Sequence, residues 1–257
     1  VSFSRLRRCL RGAGARTLTL LAVSASAALL LASGCGEELP RPTGTGEGYP
    51  RTVLAELFTA VWCGNCGYAE TALDRLHDEQ GPGELAVIHW HPSFGQGDPL
   101  AIPLADERIN DYRHFFGPQL GVPLCIFDGI AEVSEGSPAS YDRYRTRYEL
   151  EAALTSPALI EIEPTLAGDL ATFDVRVLGY PTGTAEDLEL IGVIVEHEAI
   201  NPGSTGAAVF SYVARAGLRE SLALEPGATL TRTLSFALDS GWKRADLHMV
   251  AFLQRAD

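Results

Sequence analysis

The chain has 257 residues, 46% of them hydrophobic, with 20 basic and 33 acidic side chains and a net charge of −13. That length holds one or two domains, and the apolar content is that of a folded core, which excludes wholesale disorder. The acidic excess repels phosphate backbones and sets nucleic-acid binding aside.

Residues 1–34 open with Arg5, Arg7, Arg8, Arg11 and Arg16 and no acid, followed by an apolar run from Leu18 to Leu31 broken only by Thr and Ser. Charge followed by a short apolar stretch is the layout of a secretory signal. At 14 residues the run is short for a bilayer span of about 20, so a permanent transmembrane helix is the lesser alternative. Val1 fits a start at an alternative bacterial codon. The stretch Leu31-Ala32-Ser33-Gly34-Cys35 resembles the lipobox of bacterial lipoproteins, with Ala32 where the commonest form has leucine; ordinary signal cleavage is the competing reading. The resemblance implies cleavage before Cys35, lipid attachment at Cys35, and a place in the bacterial cell envelope, at the outer membrane facing the periplasm or the surface. Cleavage there removes five of the 20 basic residues and none of the 33 acids, leaving a net charge of −18.

Residues 35–50 carry four glycines and three prolines with few apolar side chains and read as a flexible tether. From Arg51 the pattern becomes periodic. Val53 to Phe58 reads as a buried strand, and Cys66, Ala69, Leu73 and Leu76 recur at helical spacing. Leu85 to Trp90 is a second strand, and Ala105 to Phe116 a helix with Arg108, Asp111 and Arg113 expected to point outward. Pro123 to Phe127 is a third strand, Asp128-Gly129 a turn, and Ser137-Pro138 the start of a helix running to about Leu154 with Tyr141, Tyr144 and Tyr148 along one face. Strands alternating with helices predict an α/β domain over 51–155. Beyond it, over 156–257, the periodicity is that of strands: Leu159 to Leu166, Ala171 to Leu178, Leu188 to Glu196, Ala207 to Val213, Leu230 to Leu238 and Leu247 to Gln254. Turn clusters separate them, which predicts an all-β, immunoglobulin-like sandwich domain.

Three cysteines remain after Cys9 and Cys35: Cys63, Cys66 and Cys125. Cys63 and Cys66 stand in Trp62-Cys63-Gly64-Asn65-Cys66, between a buried strand and a helix start. A helix start offers unpaired N–H groups and partial positive charge that favour the Cys63 thiolate, while Cys66 can close a disulfide. Phe58 to Cys66 is similar to the active-site segment of the thioredoxin superfamily, and Gly121-Val122-Pro123 resembles the loop that carries its cis proline. The resemblance covers about Arg51 to Leu154. It implies a thioredoxin-like fold, with Cys63 as attacking thiol, Cys66 as resolving thiol and Pro123 as a cis residue shaping the substrate groove. More narrowly, Glu56-Leu57-Phe58-Thr59, His89-Trp90-His91 and Val250-Ala251-Phe252-Leu253-Gln254 resemble segments of outer-membrane lipoproteins in which such a domain precedes a β-sandwich.

Three departures from the thioredoxin pattern bear on mechanism. Asn65 replaces the proline between the cysteines, Leu57 stands where thioredoxins keep a buried carboxylate, and Pro92 to Pro103 reads as an insertion. Glu56, beside Leu57, should face the other side of its strand. Trp62 is an exposed neighbour of the pair, and His91 an auxiliary candidate for tuning Cys63 or moving protons, with a structural histidine as its plainer reading. A metal site from His89, His91, Asp98 and His114 matches no known ligand spacing, so no metal and no bound cofactor are implied. Cys125 reads as a buried core cysteine, and His77, His197 and His248 as surface or structural. The function expected is a membrane-anchored thiol–disulfide oxidoreductase acting on protein thiols and disulfides, served by an electron-transfer protein. Its rival is a non-catalytic binding or structural lipoprotein whose cysteine pair is a structural disulfide.

Overall fold

The computed structural model describes residues 2–5, 48–182, 186–200 and 209–255. Cys35, nearly all of the expected signal segment and the tether up to residue 47 lie outside the described residues. Folded chain begins earlier than the expected boundary at Arg51. Tyr49 is buried, exchanges backbone hydrogen bonds with Ser156 and sets its ring edge-on to Tyr180. Residues 2–5, which the signal reading removes, form strand β1 (Ser2–Arg5) at the edge of the main sheet.

The first half runs β2 (Val53–Phe58), α1 (Cys66–Gln80), β3 (Leu85–Trp90), α2 (Pro103–Phe116), β4 (Leu124–Phe127), β5 (Ala131–Val133) and α3 (Ser140–Ala152). Strand β2 pairs in parallel with β3 and antiparallel with β4, and β4 pairs antiparallel with β5. All residues of β2, β3 and β4 are buried, which is why they read as mostly apolar runs, interrupted by Glu56 and His89, rather than alternating ones. Before α3, Ser137 Oγ accepts the Ala139 N–H and Ser137 O the Ser140 N–H, so the expected helix start is a tight turn leading into the helix. Asp128 and Gly129 make the expected turn at positive φ of 49° and 76°.

The second half holds β6 (Ala158–Ala167), β7 (Leu170–Gly179), β8 (Glu186–Glu196), β9 (Ala199–Ile200), β10 (Val209–Phe210), β11 (Val213–Leu224), β12 (Thr229–Ala237) and β13 (Leu247–Arg255). Two facing layers do form there, but not as a separate immunoglobulin-like sandwich. Strands β11, β8 and β13 continue the first sheet beyond β3, giving the order β1-β13-β8-β11-β3-β2-β4-β5, while β12-β7-β6 makes a second sheet and β10-β9 a short two-stranded one. The junction is parallel, at Val213 opposite His89, with the His89 N–H donating to Tyr212 O at 2.8 Å. Two cores therefore share one sheet. Ile191, Val193, Val195, Val250 and Phe252 join the core of the first half, while Leu190, Ile194, Met249 and Ala251 face β6, β7 and β12.

Strand β11 was expected only as far as a segment ending at Val213. Its interior, Arg215 to Glu220, is half-buried on both faces and shows no clean alternation. Gly217 is there because a Cβ would lie 2.3 Å from Leu104 of α2. The outward placement expected for Arg108 is also corrected: its side chain is fully buried beside Leu104, Ala105, Ile109 and Tyr112 on the core face of α2. Its Nε and Nη2 donate to the two Glu56 oxygens at 3.0 and 2.7 Å, and Nη1 donates to Gln254 Oε1 at 2.6 Å. Glu56 also accepts from Trp90 Nε1 at 2.9 Å and from the Tyr112 hydroxyl. Burial alone would lower the Arg108 pKa, but the Glu56 carboxylate more than offsets this and holds it raised.

Candidate functional site

The chain leaves β2 at Phe58, and the Thr59 N–H donates to Trp90 O at 2.9 Å, which ties the start of the loop to the end of β3. The Cys63 N–H donates to Ala60 O at 3.0 Å and the Cys66 N–H to Cys63 O at 3.3 Å, so the cysteines sit on consecutive tight turns running into α1. They are joined as a disulfide. Cys63 is partly exposed, whereas Cys66 is 1% exposed. Asn65 precedes the helix without a side-chain cap, and the first turn carries no acid. The free N–H groups and positive end of the dipole are left to act on a cysteine sulfur.

The Val122–Pro123 peptide is cis. Pro123 and Asn65 both border Gly136, where a Cβ would stand 2.7 Å from Pro123 Cγ and 3.0 Å from Asn65 O. Three segments distant in sequence thus converge on the cysteine turn, and only glycine fits between the other two. Trp62 is 40% exposed and meets Phe94 edge-on at 6.4 Å.

Phe94 belongs to the segment 92–103 that the sequence marks as an insertion, and so does Asp98. Asp98 Oδ2 accepts the Val61 N–H at 2.9 Å and lies 3.0 Å from His91 Nδ1, while Oδ1 accepts the Leu100 N–H at 2.9 Å. Burial works against its ionisation, but His91 and the two N–H donors outweigh it and leave the Asp98 pKa lowered. With Nδ1–H directed at Asp98, His91 keeps Nε2 as a buried nitrogen without a hydrogen-bond partner among the described residues. Asp98 thus links His91 to Val61 at the start of the cysteine loop.

Taken together, the first-half strand order, the disulfide at the helix start and the neighbouring cis proline give a definite architecture. The fold is thioredoxin-like, with an added β portion. Two solved structures share it. One is HBP35 of Porphyromonas gingivalis, with a TM-score of 0.62, 18% identity, and coverage of 80% of this chain and 70% of that one. The other is protein AGR_C_4864 from Agrobacterium tumefaciens, a structural-genomics target, with a TM-score of 0.50, 18% identity, and coverage of 74% and 79%. No protein-family model matches the chain, and no curated protein matches it.

The remaining histidines form a different neighbourhood. His89 is buried 3.7 Å from Asp74 Oδ1. Burial, reinforced by His91, lowers its pKa to about 3, and burial raises Asp74 to about 7. His89 is thus neutral across the physiological range, and the approach is not an ion pair. His77, His89 and His197 each set a ring against Tyr212, with His248 beside His197, so these histidines are packing elements rather than surface ones. His114 is exposed on α2, and among the described residues no group of three or more His, Cys, Asp or Glu side chains is arranged to hold a metal ion. Cys125 is fully buried opposite Leu57, and burial pushes its thiol pKa well up.

Sequence reasoning missed Glu70 and Thr59. Thr59 Oγ1 donates to Glu70 Oε1. The only sequence signal for Glu70 is its spacing, four residues after Cys66 on the same helix. Leu57 and Glu56 take opposite faces as expected. Leu57 is fully buried, and the Glu56 carboxylate is held by Arg108 on the α2 face.

Proposed function

We propose that the chain is an extracytoplasmic thiol–disulfide oxidoreductase, anchored to the bacterial envelope by lipid on Cys35 and acting on protein disulfides through Cys63 and Cys66. The observation that carries this reading is the asymmetry of the pair at an uncapped helix start: Cys63 within reach of a partner, Cys66 1% exposed. A disulfide needed only for stability gains nothing from this placement.

In the reducing direction, the Cys63 thiolate, favoured by the N–H groups opening α1, attacks one sulfur of a substrate disulfide. The substrate disulfide breaks, one substrate thiolate leaves, and Cys63 becomes linked to the other sulfur. Cis Pro123, beside Asn65, and exposed Trp62 border the surface on which the substrate chain lies. The Cys66 thiolate then attacks Cys63 Sγ, the internal disulfide forms, and the second substrate thiolate departs. The substrate has gained the two electrons the cysteine pair has lost, and an electron-transfer protein outside the cytoplasm returns them.

The test is the reduction potential of the pair in the full chain, poised in a glutathione series and read by mass-resolved alkylation of Cys63 and Cys66. A value near about −270 mV marks a thioredoxin-like reductant and one near about −120 mV an oxidant. A pair that stays oxidised at every poise until the protein unfolds sinks the reading.

A binding role is the second reading, favoured by a cavity of about 910 Å³ at the opposite end of β2. Leu54, Phe115, Phe116, Ile160 and Phe252 line it, together with the outer edge of the Glu56–Arg108 pair. Its size falls in the range of small-molecule sites.

A further inference from the structure

Resolution of a mixed disulfide poses a proton problem that the cysteines cannot solve alone. Cys66 is 1% exposed, so its thiol proton has no direct path to bulk water, yet only the thiolate attacks. Leu57 offers no acid, and Glu56 is turned to the other face and held by Arg108. A base within reach of Cys66 has to come from elsewhere.

Glu70 is the acid that the register of α1 offers. It follows Cys66 by one helical turn, so the two share a face of α1. Helical side chains lean toward the N-terminus, which brings the Glu70 carboxyl back toward Cys66. Thr59, in the loop between β2 and Cys63, donates to Glu70 Oε1 and holds the carboxyl toward that loop. We propose that Glu70 is the proton acceptor for the Cys66 thiol in the resolving step, an inference that rests on the oxidoreductase reading above.

The step balances. The Cys66 proton passes to the Glu70 carboxylate, the Cys66 thiolate attacks Cys63 Sγ, the Cys63–Cys66 bond forms and the Cys63–substrate bond breaks. The electron pair leaves on the substrate thiolate, which is protonated by solvent, as Glu70 is later deprotonated. The surroundings of Glu70 favour its protonated form more than water does. Burial raises the Glu70 pKa, and Asp98 adds to that, while the Thr59 hydroxyl and His91 oppose it. Asp74, one turn further along α1, interacts with Glu70 as a like charge.

The experiment mixes pre-reduced full-length protein with 5,5′-dithiobis(2-nitrobenzoate) in a stopped-flow instrument from pH 4 to 9. Attack by Cys63 releases the first thionitrobenzoate and resolution by Cys66 the second. Cys66→Ser halts after the first, and a variant lacking both cysteines gives the background from any other reactive thiol. In Glu70→Gln the first phase is expected within twofold of wild type, while the second slows by about 100-fold or more and loses its acid limb. Thr59→Val keeps the carboxyl but removes a hydrogen bond to its ionised form, so the midpoint of that limb moves to higher pH. This second variant carries the test if Glu70→Gln does not fold.

A second phase unchanged by Glu70→Gln, a limb unmoved by Thr59→Val, or a limb abolished by His91→Asn but retained in Glu70→Gln overturns the proposal and leaves the oxidoreductase standing. Absence of the second phase in wild type removes the oxidoreductase, and the proposal with it.

Discussion

Replacing Arg108 with methionine keeps much of the buried stem and removes a charge that is 0% exposed. Glu56 then loses donors at 3.0 and 2.7 Å and retains only the Trp90 N–H and the Tyr112 hydroxyl, both neutral. Gln254 loses its donor at 2.6 Å. Orphaning one member of a buried ion pair costs about 3–5 kcal/mol, and the unsatisfied Gln254 oxygen adds about 1 kcal/mol. With a urea slope of about 2–3 kcal/mol/M, Arg108→Met should lower the midpoint by about 1.3–3 M. Adding Glu56→Gln removes the stranded charge while preserving an acceptor for Trp90, so the double variant should recover more than half of the loss. Urea unfolding of all three proteins at pH 7 measures the loss and its recovery. A midpoint shift under about 0.5 M for Arg108→Met, or a double variant as unstable as the single, would refute the reasoning.

Asp74 supplies a pH prediction of definite sign. Its pKa, raised by burial to about 7, makes the folded protein favour the protonated acid, so this group's contribution declines as pH rises from about 4 to 7. Asp74→Asn should therefore leave stability at pH 4 nearly unchanged and raise it at pH 8 by about 1–3 kcal/mol; equal urea shifts at the two pH values would count against it. Gly136→Ala tests the convergence at the cysteine turn. The added methyl cannot fit 2.7 Å from Pro123 Cγ and 3.0 Å from Asn65 O, and relieving it costs about 1–3 kcal/mol. On the proposed oxidoreductase reading, displacement of Pro123 or Asn65 should slow attack on a protein disulfide about tenfold, a factor equal to about 1.4 kcal/mol. An unaltered second-order rate in insulin reduction would show that this contact does not shape the groove.

What could be read from the sequence was local. The cysteine pair between a buried strand and a helix, the Gly-Val-Pro loop and the turn at Asp128 are short-range patterns whose chemistry belongs to neighbouring residues. Arg108 escaped because charge was taken as evidence of exposure, although its spacing from Leu104 and Tyr112 places it on the buried stripe of α2. The partner that makes burial tolerable, Glu56, is 52 residues away. Strand β11 escapes for a related reason: half-buried, it has charged side chains that pair with neighbouring elements, as Arg219 does with Asp111 of α2 and Glu189 of β8. The extended sheet hinges on Val213 opposite His89, a pairing that no local periodicity encodes. The same holds for Glu70, whose importance depends on Thr59 reaching it from the preceding loop.

The step from Glu56 to Leu57 explains much of the site. Strand side chains alternate between faces, so moving an acid by one position transfers it from one side of the sheet to the other. Leu57 stands opposite Cys125 of β4 and His89 of β3, all three buried, so no acid of these strands occupies that position. Glu56, on the other face, joins α2 through Arg108 and, through the same guanidinium, Gln254 of β13. The carboxylate thereby links the thioredoxin-like half to a strand of the added β portion. It cannot also exchange protons with Cys66, because its oxygens are occupied by four donor groups and any proton it took would compete with a buried guanidinium. Fixing the two halves and serving the cysteines thus fall to different acids, and the half-buried Glu70, on the same helix as Cys66 and held by a single hydroxyl, is the one left free to change its charge.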